Sequence, residues 1–166
     1  ALVERGRVIL KNRRGRPRTA QYPELQELAG LVRAQSAVLD GEVVALAEGK
    51  PSFARVIQRD FCRREQVIRA LQRRIPCTYC LFDLLYLDGE DLTGRPLEER
   101  QRLLEEIVAA AAPVYLNENF PDGEILYREI VEAGLEGVVA KRKGSPYRSG
   151  RKSPDWLKIK PRRRQL

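Results

Sequence analysis

A chain of 166 residues, 43% hydrophobic and 33% charged, can bury a substantial core and is too apolar to remain disordered. It contains no run of 18 apolar residues and no charged segment leading into an apolar one, so no membrane span or secretory signal is readable, and a cytoplasmic setting is expected. The net charge of +8 is uneven: residues 141–166 hold eleven Lys or Arg against the one acid Asp155, or +10, leaving −2 for residues 1–140. A local basic surface suits a polyanion, with nucleic acid first and a solvated tail as the plain alternative.

Ala1–Glu4 and Arg7–Lys11 read as two short strands around Arg5-Gly6, a tight hairpin. Asn12-Arg13-Arg14-Gly15-Arg16-Pro17-Arg18 is a turn-forming cluster with four arginines, either a solvated loop or a contact to a phosphate backbone. Tyr22-Pro23-Glu24-Leu25 opens a short helix with Leu25, Leu28 and Leu31 on one side. Ser36–Glu48 forms the next strand. Alternation puts Leu39, Val43 and Ala45 on one face and Asp40, Glu42 and Val44 on the other. Two carboxylates on one face of an apolar strand can cap loops, or Glu42 can bind a ribose or a metal ion.

Residues 52–74 read as two amphipathic helices with a wet basic face, separated near Asp60-Phe61. Cys77–Leu87 is a long apolar strand, with Phe82, Leu84 and Tyr86 expected on one face, ending at the turn Asp88-Gly89-Glu90. Cys77-Thr78-Tyr79-Cys80 matches C-x-x-C, but residues three apart on a strand face opposite sides. With no histidine and only Cys62 besides, the cysteines support neither a zinc site nor a disulfide framework, which fits a reducing compartment.

Pro96–Ala111 is the clearest helix, with Glu98 and Glu99 in its first turn and Leu103, Ile107 and Ala110 at helical spacing. Val114–Leu116 is a short strand and Gly123–Glu132 a helix. The last fifth organises the chain. Glu136 opens the apolar strand Val138-Val139-Ala140, which ends in Lys141-Arg142. In Asp155-Trp156-Leu157-Lys158-Ile159-Lys160, Leu157 and Ile159 share a face suited to a core, while Trp156, Lys158 and Lys160 share the other. Two ammonium groups side by side are unfavourable unless an anion lies between them. No repeat, Walker A loop or G-x-G-x-x-G is present.

Four ordered segments then carry a resemblance: Leu39-Asp40-Gly41-Glu42-Val43-Val44, Phe82-Asp83-Leu84-Leu85-Tyr86-Leu87-Asp88-Gly89, Glu136-Gly137-Val138-Val139-Ala140-Lys141-Arg142 and Asp155-Trp156-Leu157-Lys158-Ile159-Lys160. They resemble motifs III, IIIa, IV and V of ATP-dependent DNA ligases, and Ser145-Pro146-Tyr147-Arg148 is most similar to bacterial end-joining ligases. The resemblance implies one α+β adenylation domain over residues 1–166 with the nucleotidyltransferase fold, two antiparallel sheets flanked by helices (ATP-grasp-like). It implies ATP and Mg²⁺ (or Mn²⁺) as cofactors, nicked or broken duplex DNA as partner, and fused or associated repair domains in a bacterial, nucleoid-associated protein.

By position, Glu42 is implied on the ribose and Phe82 on adenine, with Glu136 and Glu42 as metal ligands and Lys158 and Lys160 on the phosphates. Arg13 is implied near AMP or the DNA backbone. DNA contact is implied for Arg13, Arg14, Arg16, Lys141, Arg142, Arg148 and Arg151. The family's nucleophile is the lysine of Lys-x-Asp-Gly, a tetrapeptide not found in these 166 residues. It is expected upstream of Ala1, with the OB domain beyond Leu166, so the chain alone is expected to be inactive in lysyl-AMP formation. The alternatives are a non-catalytic nucleic-acid-binding remnant of the same fold and an RNA ligase or capping guanylyltransferase.

Overall fold

The computed structural model describes residues 1–151 and 153–161, which divide into two compact units. The first comprises Ala1–Leu92 and Glu99–Asn117; the second comprises Thr93–Glu98 and the residues from Glu118 onward. Among the described residues no helix is long and apolar enough to cross a membrane.

The first unit begins with β1 (Leu2–Glu4) and β2 (Arg7–Ile9), an antiparallel hairpin in which Arg5 and Gly6 take φ of +48° and +74°. Two successive positive φ values match the right-handed twist of the flanking strands. Val3 pairs with Val8, and both are buried. A 3₁₀ turn over Pro23–Glu27 runs into α1 (Leu28–Leu31), and Leu25 and Leu28 are fully buried as their spacing predicted. Next come β3 (Ser36–Ala47), β4 (Lys50–Pro51), α2 (Phe53–Asp60) and α3 (Glu65–Arg74), with Ser52 capping α2 by accepting from the Arg55 N–H.

The expected wet basic face on these helices is only partly realised. Arg59 of α2 is fully buried, with Nη1 at 2.8 Å from Glu24 and donating to the Ile75 carbonyl, and with Nη2 donating to the Gln21 carbonyl. Arg18 of the arginine cluster is likewise buried and paired with Asp60 at 2.7 Å. A guanidinium leaves water only where a carboxylate and carbonyls replace its hydration.

β5 (Cys77–Leu87), β6 (Glu90–Asp91), α4 (Leu97–Ile107, in this unit from Glu99) and β7 (Val114–Leu116) complete the unit. The sheet runs β2-β1-β3-β5-β6, with β4 on β3 and β7 parallel to β5. The β3–β5 ladder is irregular. Val38 pairs with Tyr86 but Leu39 with Leu84, and Asp40 pairs with Asp83 but Gly41 with Leu81, so the register skips Leu85 and Phe82. Each bulge shifts the alternation by one. Phe82, Leu84 and Tyr86 therefore do not form one aromatic and apolar face. Leu84 is buried opposite Leu39, while Phe82 and Tyr86 are half-buried. Helix α4 stops at Ile107, short of the expected Ala111, because Val108 forms a bridge with Val32 and the Ile107 carbonyl accepts from the Arg33 N–H.

In the second unit α5 (Gly123–Glu132) is capped by Asp122, whose carboxylate accepts from the Glu124 and Ile125 N–H groups. β8 (Val138–Lys141) and β9 (Trp156–Ile159) form an antiparallel ribbon pairing Val138 with Ile159, Val139 with Lys158, Ala140 with Leu157 and Lys141 with Trp156. The alternation predicted for β9 holds, but the burial does not. Leu157 is 54% exposed and Ile159 44%. Two strands make a ribbon too narrow to enclose a face.

Candidate functional site

The register of the ribbon decides which charges meet. Lys158 on β9 and Lys160, just past its end, fall on one face by alternation, with Val139 across from Lys158. Strict alternation would send Glu136 to the opposite face, with Val138, Ala140, Leu157 and Ile159. Gly137 breaks that alternation. Its φ of +145° lies in a region that only glycine occupies freely, and a Cβ there would stand 2.2 Å from the Ile159 carbonyl oxygen. The turn brings the Glu136 carboxylate to both ammonium groups: Oε1 accepts from Lys160 Nζ at 2.7 Å and from Lys158 Nζ at 3.1 Å.

The anion expected between the two lysines is thus a carboxylate of the chain itself. All three side chains are more than half exposed. The hydrogen bonds from Lys160 and Lys158, and their charge, hold the Glu136 carboxyl down to about 2. The group stays ionised and carries a net charge of +1.

A second carboxylate-centred group stands nearby in sequence. Asp155, only 12% exposed, faces Arg142 Nη1 at 3.5 Å and Arg148 Nε at 3.7 Å, and accepts from the Ser153 hydroxyl at 2.9 Å. That hydroxyl bond, then the arginines, keep its carboxyl below the usual range against the opposing effect of burial. Lys141 lies over the Trp156 ring with Nζ 4.2 Å from the centroid, and Tyr147 meets the same indole edge-on. Arg151 is exposed. A cleft of about 410 Å³ is lined by Ala140, Lys141, Arg142, Pro154, Asp155 and Leu157.

The first unit holds the remaining predicted residues. Glu42 is exposed on β3 opposite Cys80, beside Gly41, where a Cβ would meet the Cys80 carbonyl oxygen at 2.6 Å. Glycine here lets β3 and β5 approach closely. Phe82 is half-buried at its bulge. Asn12 organises the arginine loop: its side-chain oxygen accepts from the Arg14 and Arg16 N–H groups, and its carbonyl accepts from Gly15 N–H, with φ of +73° at Gly15. Arg13, Arg14 and Arg16 are left exposed on a braced loop. No group of three or more His, Cys, Asp or Glu is placed to hold a metal ion among the described residues.

Sequence reading missed the buried pair Asp83–Arg100. The only signal was an acid inside an apolar strand, and its partner lies 17 residues away on α4.

Comparison with known proteins bears on all of this. The sequence model described as "ATP dependent DNA ligase domain" matches residues 2–160. The chain is 40% identical over 165 residues to a DNA ligase of Methanothrix thermoacetophila, covering 95% of this chain and 29% of that protein. It is 38% identical over 160 residues to the multifunctional non-homologous end joining protein LigD of Mycobacterium bovis, covering 95% of this chain and 19% of that protein. The chain thus spans less than a third of the length of either relative. Among solved structures, the ligase domain of M. tuberculosis LigD matches with a TM-score of 0.73 at 36% identity, covering 96% of this chain and 49% of that one. A mycobacterial DNA ligase D complexed with ATP and MES matches with a TM-score of 0.74 at 34% identity, with the same coverage.

Proposed function

The chain belongs to the ATP-dependent DNA ligase domain family and has its α+β nucleotidyltransferase fold, and on that premise we propose that it serves as the adenylation domain of a ligase that seals breaks in duplex DNA. The observation that carries this reading is the convergence of Lys158 and Lys160 on Glu136 Oε1, at 3.1 and 2.7 Å. Each ammonium has three N–H donors and gives one to the carboxylate, leaving donors for phosphate oxygens. Attack at the α-phosphate of ATP builds charge on those oxygens, and cations already in place stabilise it without reorganising.

Phe82 supplies a flat apolar surface for adenine, and Glu42 a carboxylate for the ribose hydroxyls. A Mg²⁺ ion would be held through a single protein carboxylate, Glu136 or Glu42, with the bound nucleotide supplying its other oxygen donors. Such an ion would neutralise phosphate charge. The braced loop bearing Arg13, Arg14 and Arg16, together with Lys141, Arg142, Arg148 and Arg151, supports contact with the DNA backbone, where guanidinium groups fix position without reading sequence.

The test is nucleotide affinity by calorimetry. A charge-assisted hydrogen bond is worth about 1.5–3 kcal/mol, so Lys158→Ala and Lys160→Ala should each weaken ATP binding about 10- to 100-fold. Both side chains are more than half exposed, so thermal unfolding should move little. Intact affinity with a large drop in melting temperature would make the lysines structural and remove the basis of the reading. In a longer product of the same gene that carries Lys-x-Asp-Gly, the same variants should abolish nick sealing.

A further inference from the structure

Phe82 is one of two residues that the β3–β5 register skips, and helix α4 grips the backbone around it. Arg100 engages both oxygens of Asp83, with Nε to Oδ1 at 2.7 Å and Nη2 to Oδ2 at 2.8 Å, and both side chains are fully buried. Asp83 Oδ1 also accepts from the Leu84 N–H at 2.9 Å, and Gln101 Nε2 donates to the Phe82 carbonyl at 3.4 Å. Three consecutive residues of a bulge are therefore tied by α4 and by the Asp83 carboxylate. A bulge lacks regular ladder bonds and re-aims its side chain, so its geometry has to be set by something else.

Stability alone does not account for this pair. Replacing a buried ion pair with well-packed apolar residues is often neutral or stabilising, because desolvation of the two ions cancels much of their attraction. What an apolar pair lacks is direction. A bidentate guanidinium–carboxylate pair fixes two planes relative to each other, and through Asp83 it fixes the backbone torsion that follows Phe82.

We propose that Asp83 and Arg100 are positioning residues that hold Phe82 at the angle needed to stack on a purine base. This rests on the reading of the chain as an ATP-binding adenylation domain. Neither residue touches the nucleotide. They act by restricting an aromatic ring that, on an unbraced bulge, would sample several orientations and lose binding through ordering entropy.

The experiment uses 2-aminopurine riboside triphosphate, an adenine analogue whose emission falls on stacking, titrated into the 166-residue chain and its variants, with thermal unfolding recorded in parallel. Phe82→Leu should lose the emission drop and bind about tenfold more weakly, the low end of what one base–aromatic stack is worth. The double variant Asp83→Leu/Arg100→Met should unfold cooperatively yet show the Phe82→Leu phenotype. Arg100→Lys, which keeps the charge and gives up the two-point contact, should show a partial loss, and it carries the test should the double variant not fold. Lys158→Ala should weaken affinity and keep the emission drop at saturation, because it acts on phosphate. Normal quenching and affinity in a folded double variant, or in Arg100→Lys, would overturn the positioning role. Normal quenching in Phe82→Leu would instead overturn the assignment of Phe82 to the base, and the positioning role with it.

Discussion

Gly137→Ala isolates the one backbone feature on which the charge cluster depends. An alanine Cβ would start 2.2 Å from the Ile159 carbonyl oxygen and must reach about 3.4 Å for ordinary contact, a retreat of about 1.2 Å at the β8–β9 junction. If that retreat passes to the neighbouring pair, Lys160 Nζ to Glu136 Oε1 lengthens from 2.7 to about 3.9 Å, outside hydrogen-bond range. The φ of +145° adds a backbone penalty of about 1–3 kcal/mol for any L-residue. Relaxing toward ordinary extended torsions removes that penalty but returns Glu136 to the face away from the lysines. Both routes separate the charges.

The assay is a carbon-13 NMR titration of the Glu136 carboxyl. In the unaltered chain the midpoint should lie well below the reference of 4.5, at about 2, because Lys160 and Lys158 bond the ionised form. A depressed carboxyl contributes its interaction fully above its reference value, and that contribution fades as pH falls from about 4.5 through about 2. In Gly137→Ala the midpoint should rise toward 4.5 and ATP binding should weaken in step. A midpoint that stays near 2 in a folded variant would refute the argument, since the lysines would then reach Glu136 without the glycine turn.

The remaining predictions concern DNA and covalent chemistry. Removing Arg13, Arg14 and Arg16 together should reduce the slope of log affinity against log salt for duplex DNA by about 0.9 for each phosphate these arginines neutralise, and an unchanged slope would place the DNA elsewhere on the surface. Asp155→Asn adds a unit of positive charge yet should weaken DNA binding in fluorescence anisotropy, because it frees Arg142 and Arg148; tighter binding would show that Asp155 only neutralises. Residues 1–166, which contain no Lys-x-Asp-Gly, should form no lysine-linked AMP with labelled ATP, and an adduct at Lys11 or Lys141 would show that another lysine acts as nucleophile.

Elements with a strong local signal were legible from the sequence. The bounds of β5, β7 and α5 match the expected Cys77–Leu87, Val114–Leu116 and Gly123–Glu132, because apolar runs and turn residues act within a few residues. Facing was legible only where the ladder is regular. In β5 the skipped Leu85 and Phe82 shift the phase twice, and nothing in an apolar run marks a bulge in advance. Burial of charge was the least legible, because it depends on partners distant in sequence. Arg59 reads as a solvated residue on a basic helix until Glu24, 35 residues earlier, is placed against it. In the site, the pairing of Glu136 with two lysines was anticipated only as a need for some anion; its identity depends on the φ of Gly137, which the amino-acid letter permits but does not dictate.

The two charge clusters of the second unit follow one pattern. In each, a single carboxylate stands between two cations: Glu136 between Lys158 and Lys160, and Asp155 between Arg142 and Arg148. Without the carboxylate the cations would repel and spread into solvent, so a phosphate would have to order them as it bound. A neutralising pair of carboxylates would order them but leave no attraction for an anion. One acid for two bases does both, giving fixed geometry with a remaining charge of +1. Because Glu136, Lys158 and Lys160 are largely exposed, that charge is screened within about 10 Å at 0.1 M salt, so in the proposed role it would act on a phosphate already in contact. In the proposed contact with DNA, longer-range attraction would come from the summed positive charge of residues 141–166, an effect sensitive to salt. The lysine cluster also needs a glycine turn to assemble it, whereas Asp155 reaches its two arginines with help from the Ser153 hydroxyl.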